Sequence, residues 1–561
     1  MLPLDDDRTA AAVDDIVAHE ADEVLEAEDA AVRHVIEAPK RGFWGSIGCF
    51  FGWFFMTSRG RWLTFWLVVL ASATIVTIPT ARYWVLNTAG VRASASVMVV
   101  DELTQLPLKN VQVTIEGRSQ QTTVGGTVNF TKLRLGKTMF TVAQPGFADV
   151  QQQITVGWGS NPQGTISLKA TGARYTIQVH DYISDKPLAG VLATSGDATA
   201  LSDQNGKIIL TLEHLADSTT PISLSKDGYR IEKVTLKPAN QTTTVALVLA
   251  RKAVFINKAS GKYDVYRSDV DGANRELLLA ATGNESGTSS LVTSQDGTHA
   301  ALVSTRDNQH DANGQLLSAL TLLDVTNSIA VTLGHADEIQ LLDWIGTRLI
   351  FKQINNDSGT SALNRYSIIS YDYASNSRVQ LAAAPKLSAV FSAQGVIYYA
   401  IAADENNGSL KPGLYKINPD GNSGQIVYDQ EVLNGLRTDY NTLSLQTTSG
   451  WIAYSLSGGG HSTISGPASF TNRLYIDRAD NTQSLWVSQA VLLDYDVTAA
   501  KDTTLQNQSG LTYPLHWLTD DAVMYRIVTS TETADYVAAL SGGTPHKIAD
   551  VANTNGFTYA Q

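Results

Sequence analysis

The chain has 561 residues, of which 43% are hydrophobic, and a net charge of −13. That length exceeds what one hydrophobic core supports and predicts three or four domains. The acidic balance, with no basic block outside one short N-terminal stretch, excludes general nucleic-acid binding, and a single cysteine, Cys49, excludes a disulfide framework.

Residues 1–40 are an acidic arm, helical or disordered. Within residues 1–37, Asp5, Asp6, Asp7, Asp14, Asp15, Glu20, Asp22, Glu23, Glu26, Glu28, Asp29 and Glu37 face only Arg8 and Arg33. Apolar Val13, Ile16, Val17, Val24 and Leu25 recur at helical spacing until Pro39. The arm reads as a solvated tail or as a docking helix for a partner. Residues 41–61 are aromatic and basic, with Phe43, Trp44, Phe50, Phe51, Trp53, Phe54 and Phe55 between cationic flanks, and predict an interfacial segment rather than a second span.

From Trp62 to Ala81 no charge occurs, and a transmembrane helix is predicted over 62–84, crossing the lipid bilayer through residues 62–81. Lys40, Arg41, Arg59 and Arg61 precede it, whereas Arg82 and Arg92 follow. This bias predicts an uncleaved signal anchor with a cytoplasmic N-terminus and an extracellular or periplasmic body. A cysteine-free body of that size leans towards a bacterial envelope.

Residues 92–170 and 173–250 predict two β-sandwiches, because short apolar runs alternate with Gly, Pro, Asn and Asp. They repeat each other. Asp101 to Val111 (DELTQLPLKNV) aligns with Asp181 to Val191 (DYISDKPLAGV) at an offset of 80. Gly125-Gly126 aligns with Gln204-Asn205-Gly206 to within one residue, and Gly146-Phe147 with Gly228-Tyr229. These positions resemble carboxypeptidase regulatory-like domains, whose pattern includes Thr-Asp-x-x-Gly; Ser202-Asp203-Gln204-Asn205-Gly206 fits it, and Val124-Gly125-Gly126 departs from it. The resemblance implies transthyretin-like sandwiches that serve as spacers or binding modules without catalysis.

Residues 251–561 predict a six-bladed β-propeller. Apolar strands centre on Val254, Leu302, Ile350, Ile397, Ile452 and Val523, spaced 48, 48, 47, 55 and 71 residues apart. Turns such as Ser294-Gln295-Asp296-Gly297 precede them, and the pattern resembles Tol-type propeller repeats with a Ser-Pro-Asp-Gly signature. The first unit lacks an inner strand, which Asn555 to Ala560 are expected to supply. Gly334-His335 and Asp343-Trp344, which look like a single WD-repeat signature, read as a turn and a strand end.

Chemical motifs are absent. There is no Gly-x-Ser-x-Gly, no His-Glu-x-x-His and no phosphate-binding loop, and the histidines are scattered. Asp269-Val270-Asp271-Gly272 and Asp420-Gly421-Asn422 resemble fragments of calcium loops, but hairpin turns explain both. No residue is singled out as catalytic, cofactor-binding or metal-binding, and no cofactor is expected. The chain therefore reads as mainly β: an anchored surface-binding or envelope-scaffold protein whose propeller takes a protein or glycan ligand. The alternatives are an extracytoplasmic hydrolase or lyase with its site in the propeller channel, and a sensor signalling through the acidic arm.

Overall fold

The structure, a computed structural model, describes residues 58–552 except 214–220, 237–240, 357–359, 468–472, 489 and 508. The acidic arm, the aromatic segment up to Thr57 and the expected closing residues Asn555 to Ala560 lie outside the described residues. The chain divides into two compact units. One takes in the stretch up to Ser96, Asn129–Met139 and Gln153–Pro162; the other takes in the remainder.

In the first unit, helix α1 (Ser58–Thr77) ends at Ile78, and α2 (Pro79–Thr88) begins there. Pro79 has no N–H to donate and disfavours helical backbone at the residue before it; Ile78 is extended, with φ −99° and ψ 108°. The axis turns by 100°. The continuous helix predicted over 62–84 is thus corrected to a bent pair. No single described helix is long and apolar enough to cross a membrane; the pair Arg61–Thr77 and Pro79–Thr88 passes by length and composition. Helix α1 is apolar all round, and Trp62, Phe65, Trp66, Leu70 and Val76 stand exposed.

The first sandwich has strands β1 (Ala93–Asp101), β2 (Gln112–Ile115), β3 (Arg118–Gln121), β4 (Thr127–Leu133), β5 (Gly136–Ala143), β6 (Val150–Val156) and β7 (Ser160–Leu168). Its sheets run β4-β1-β7 and β3-β2-β5-β6. The second has β8 (Ala173–Asp181), β9 (Leu192–Ser195), β10 (Ala198–Leu201), β11 (Lys207–Leu212), β12 (Pro221–Ser225), β13 (Glu232–Thr235) and β14 (Thr242–Leu247). Its sheets run β11-β8-β14 and β10-β9-β12-β13, the same topology. Ile177 and Leu210 from one sheet meet Ala193, Ile222 and Leu224 from the other in a closed core.

The sequence repeat has a local cause. Asp101 Oδ1 accepts the N–H groups of Leu103 and Thr104, and Asp181 Oδ1 those of Ile183 and Ser184. Each aspartate closes an Asx turn that starts the Pro-Leu bend. Gly126 (φ +69°) and Gly206 (φ +74°) occupy equivalent left-handed positions, and a Cβ on Gly126 would lie 2.6 Å from the Val99 carbonyl. Only glycine fits such a site.

Beyond Arg251 the described residues form seven consecutive antiparallel sheets, the blades of a β-propeller, not six. They cover residues 252–279 (three described strands), 290–336, 338–384, 387–428, 432–464, 476–507 and 511–550, here blades 1 to 7. The expected centre Ile452 lies on the third strand of blade 5, and blade 6 fills the long final interval. The first strands of blades 2, 3, 4 and 5 touch in succession, as do those of 6 and 7, and blade 7 meets blade 2. First strands are therefore innermost. Against the first described strand of blade 1, Ala552 N–H donates to the Ile256 carbonyl at 2.8 Å and Asn257 Nδ2 to the Asp550 carbonyl at 2.7 Å.

The second sandwich packs on blades 1 and 7. Ile183, Val248 and Leu249 join Ala253 and Val270 of blade 1 and Met524, Val537 and Ile548 of blade 7 in one buried cluster. Arg230 spans the junction, donating to Asp269 at 2.5 Å, Asp271 at 2.9 Å and Glu232 at 2.8 Å. Burial alone would raise the Asp269 carboxyl, but hydrogen bonds from Lys252, Arg230 and Asn274 outweigh it and hold it below its ordinary value. Both aspartates of the first calcium-like fragment are thus engaged by arginine. Arg230→Ala is expected to cost about 1–3 kcal/mol, since charge-assisted bonds of a partly buried guanidinium are lost. Limited proteolysis near Ala250-Arg251 should quicken several-fold; an unchanged cleavage rate contradicts the clamp.

Candidate functional site

Four polar side chains lie near the ends of the inner strands of four successive blades, shortly before the hairpin that leads into the second strand. Asp343 pairs with Ile350, Ser392 with Ile397, Arg437 with Leu443, and Asp477 with Ser484. Register shifts flank Asp343 and Arg437. Such bulges re-aim inner-strand side chains.

The four are wired together. Ser392 Oγ donates to Asp343 Oδ2, and the Trp344 N–H donates to Asp343 Oδ1 at 2.7 Å. Arg437 donates to the Ser392 carbonyl at 3.1 Å and the Tyr440 carbonyl at 3.2 Å. Its guanidinium lies 4.6 Å from the Tyr475 ring centre and 5.5 Å from that of Tyr440, both cation–π distances. Asp477 accepts the Gln394 N–H at 3.0 Å and Ser484 Oγ at 2.6 Å. Gln295, from the expected Ser-Gln-Asp-Gly turn of blade 2, donates to the Asp477 carbonyl at 3.4 Å.

Asp343 is half-buried on the inner strand of blade 3. Desolvation pushes its carboxyl up to about 7; the charge of Asp477 adds to this, against the Ser392 and Trp344 hydrogen bonds and the Arg437 charge. Asp343 therefore exchanges its proton near neutrality, the property required of a general acid or base.

On the same inner strands, immediately before this cluster, lies a cavity of about 160 Å³. Gln340 and Leu342 of blade 3, Ser388 and Phe391 of blade 4 and Asn434 of blade 5 line it, with Lys352 from the second strand of blade 3. Burial lowers the Lys352 ammonium against the opposing influence of Glu338. The cavity offers the Lys352 ammonium and the Gln340 and Asn434 amides to a small polar group.

Among the described residues no group of three or more His, Cys, Asp or Glu has the geometry of a metal site. Asp420 of the second calcium-like fragment accepts the Asn422 N–H at 2.9 Å in a hairpin turn. Gly334-His335 lies within the outer strand of blade 2, not in a turn, and His335 Nε2 sits 2.7 Å from Asp307. Asp343-Trp344, expected as a strand end, lies at the C-terminal end of the inner strand of blade 3 (Glu338–Ile345), and Trp344 is fully buried. Sequence reasoning passed over Asp343. The signal available was the recurrence of polar residues at 343, 392, 437 and 477, spaced 49, 45 and 40 apart.

No family model matches the chain, and no curated protein matches it. Solved structures that resemble it include TolB from Acinetobacter baumannii, at 11% identity and TM-score 0.33, over 61% of this chain and 79% of that one. The β-propeller domain of the Trilobed protease from Pyrococcus furiosus resembles it at 13% identity and TM-score 0.34, over 55% and 93%. An oligogalacturonate lyase from Vibrio parahaemolyticus does so at 12% identity and TM-score 0.32, over 52% and 86%.

Proposed function

We propose that the chain is a membrane-anchored envelope protein that holds a β-propeller on a two-sandwich stalk and binds a protein or glycan ligand there. The observation that carries this reading is α1, a helix with no charge from Trp62 onward whose apolar side chains are exposed on every face. A helix of that kind is buried in lipid or in other protein. Arg61–Thr77 rises about 25 Å, a few ångströms short of a hydrocarbon core, and local thinning or flanking residues make up such a mismatch. We read the sandwiches as carboxypeptidase regulatory-like modules, and the basic residues before Trp62 as placing the acidic arm in the cytoplasm.

The test is fractionation of cells expressing the full chain. It is expected in the membrane pellet after alkaline carbonate washing, with the propeller cleaved by external protease in cells or spheroplasts and the arm protected. Release by carbonate, or a protected propeller, overturns the reading.

A second reading, a hydrolase or lyase acting in the channel, is favoured by one observation: Asp343 and Asp477 approach from separate blades, and the first is held protonatable near neutrality.

A further inference from the structure

Charge is distributed unevenly in this acidic protein. The described segments of the first unit, 58–96, 129–139 and 153–162, contain no Asp or Glu. Beyond α1 they carry Arg82, Arg92, Lys132, Arg134 and Lys137.

These segments meet at one end of the first sandwich. Asn87 of α2 exchanges two hydrogen bonds with Leu135 in the β4–β5 turn: Nδ2 donates to its carbonyl and Oδ1 accepts its N–H, both at 2.9 Å. The β6–β7 turn is tied to the start of β1, with the Ser94 N–H donating to the Gly159 carbonyl at 3.0 Å and Asn161 Nδ2 to the Ser94 carbonyl at 3.1 Å. That turn, Gly157-Trp158-Gly159, presents Trp158 with 78% of its surface exposed, and Trp84 of α2 is 70% exposed.

The 100° bend gives this end its orientation. With α1 along the membrane normal, α2 lies nearly in the membrane plane. Exposed tryptophans beside arginine and lysine are the composition of the headgroup layer, where indole sits at the apolar boundary and cations meet phosphate.

We infer that α2 and the two turns form an interfacial foot that seats the first sandwich on an anionic phospholipid surface, with Trp84 and Trp158 immersed at headgroup depth. This rests on the anchored reading and extends it: the stalk is held to the bilayer by its surface as well as by a tether. The occupant is lipid because the foot continues directly from α1 and its charge is opposite to that of phosphate headgroups.

The experiment uses the full chain with Cys49→Ser, reconstituted in vesicles of phosphatidylglycerol or of phosphatidylcholine. A polarity-sensitive fluorophore is attached through Trp158→Cys or, separately, Leu70→Cys, and lipids carrying shallow or deep quenchers report depth. At position 158 the foot predicts shallow quenching in phosphatidylglycerol that falls by half or more in phosphatidylcholine. Adding Arg82→Glu and Lys137→Glu should produce the same fall in phosphatidylglycerol, while deep quenching at position 70 persists. An aqueous label at 158 with a deep label at 70 overturns the foot and leaves the anchor standing. Equal quenching at 158 in both lipids overturns the charge recognition. A label at 70 that no quencher reaches overturns the anchor and the foot together.

Discussion

Asp535→Ala is expected to destabilise the propeller by about 3–5 kcal/mol, the cost of leaving a buried charge without its partner. Arg526 and Asp535 face each other across the second and third strands of blade 7. The guanidinium meets the carboxylate through two bonds, at 2.6 and 2.9 Å, and the two side chains are 7% and 0% exposed. Met524 and Val537, two positions from Arg526 and Asp535 on the same face of the sheet, belong to the buried apolar cluster shared with the second sandwich, so no water reaches the orphaned cation cheaply. A urea titration followed by tryptophan fluorescence measures the loss. The paired replacement Arg526→Met with Asp535→Leu should recover most of it, because apolar groups of similar volume need no partner. A single variant within about 1 kcal/mol of the parent contradicts the argument.

The contrast between what was and was not legible in the sequence follows from how local each determinant is. The two sandwiches repeat because their turns are made by residues within a few positions of one another: Asp101 and Asp181 cap their own loops, and Gly126 and Gly206 each turn one hairpin. Helix α1 overran in prediction because hydropathy continues through Ala81, although Pro79 already carried the stop signal. The sixth blade was hidden for a different reason. Its inner strand is two residues long, Ile476–Asp477, so no apolar run announces it. The equivalent second-strand positions 397, 443, 484 and 523 are spaced 46, 41 and 39 apart, so a fixed period near 48 drifts off by a whole strand.

The candidate site was less legible still. Asp343 and Asp477 are 134 positions apart in sequence, and only the succession of blades brings the ends of their inner strands together. Turn aspartates such as Asp296 and Asp420 look more conspicuous in sequence because glycine and asparagine surround them. In the structure they are consumed by their own turns. Burial would raise Asp296, but bonds from Ser294, Tyr373 and Thr298 outweigh it and hold it at about 2. A carboxylate satisfied in that way has no proton to exchange at neutral pH. Asp343, whose surroundings penalise its charge, does.

The pH dependence of stability should therefore carry the imprint of Asp343. An unfolded aspartate loses its proton near 3.8, whereas the native Asp343 carboxyl does so at about 7. Between those values the folded state binds one proton more than the unfolded state, so stability falls as pH rises through the window. For a shift of this size the fall is about 2–4 kcal/mol between pH 4 and pH 8. Asp494 adds to the same trend, since desolvation with the charges of Asp496 and Asp502 pushes it up to about 6. Asp343→Asn keeps Oδ1 as the acceptor for the Trp344 N–H and turns its amide N–H towards Ser392 Oγ, which can accept, but it cannot ionise. It should come close to the parent at pH 4 and below, pull ahead from pH 5, and exceed it at pH 8 by about 2 kcal/mol or more. Asp494→Asn serves as the control for the smaller contribution. A gap between parent and Asp343→Asn that stays constant from pH 5 to 8 shows that Asp343 does not titrate there. The same variant separates the two functional readings. A hydrolase or lyase in the channel must lose turnover of an oligosaccharide panel on Asp343→Asn and on Asp477→Asn, because both carboxyls take part in proton transfer. A binding platform keeps its ligand while gaining stability at alkaline pH, since an ionised Asp343 is then only a cost carried by the fold.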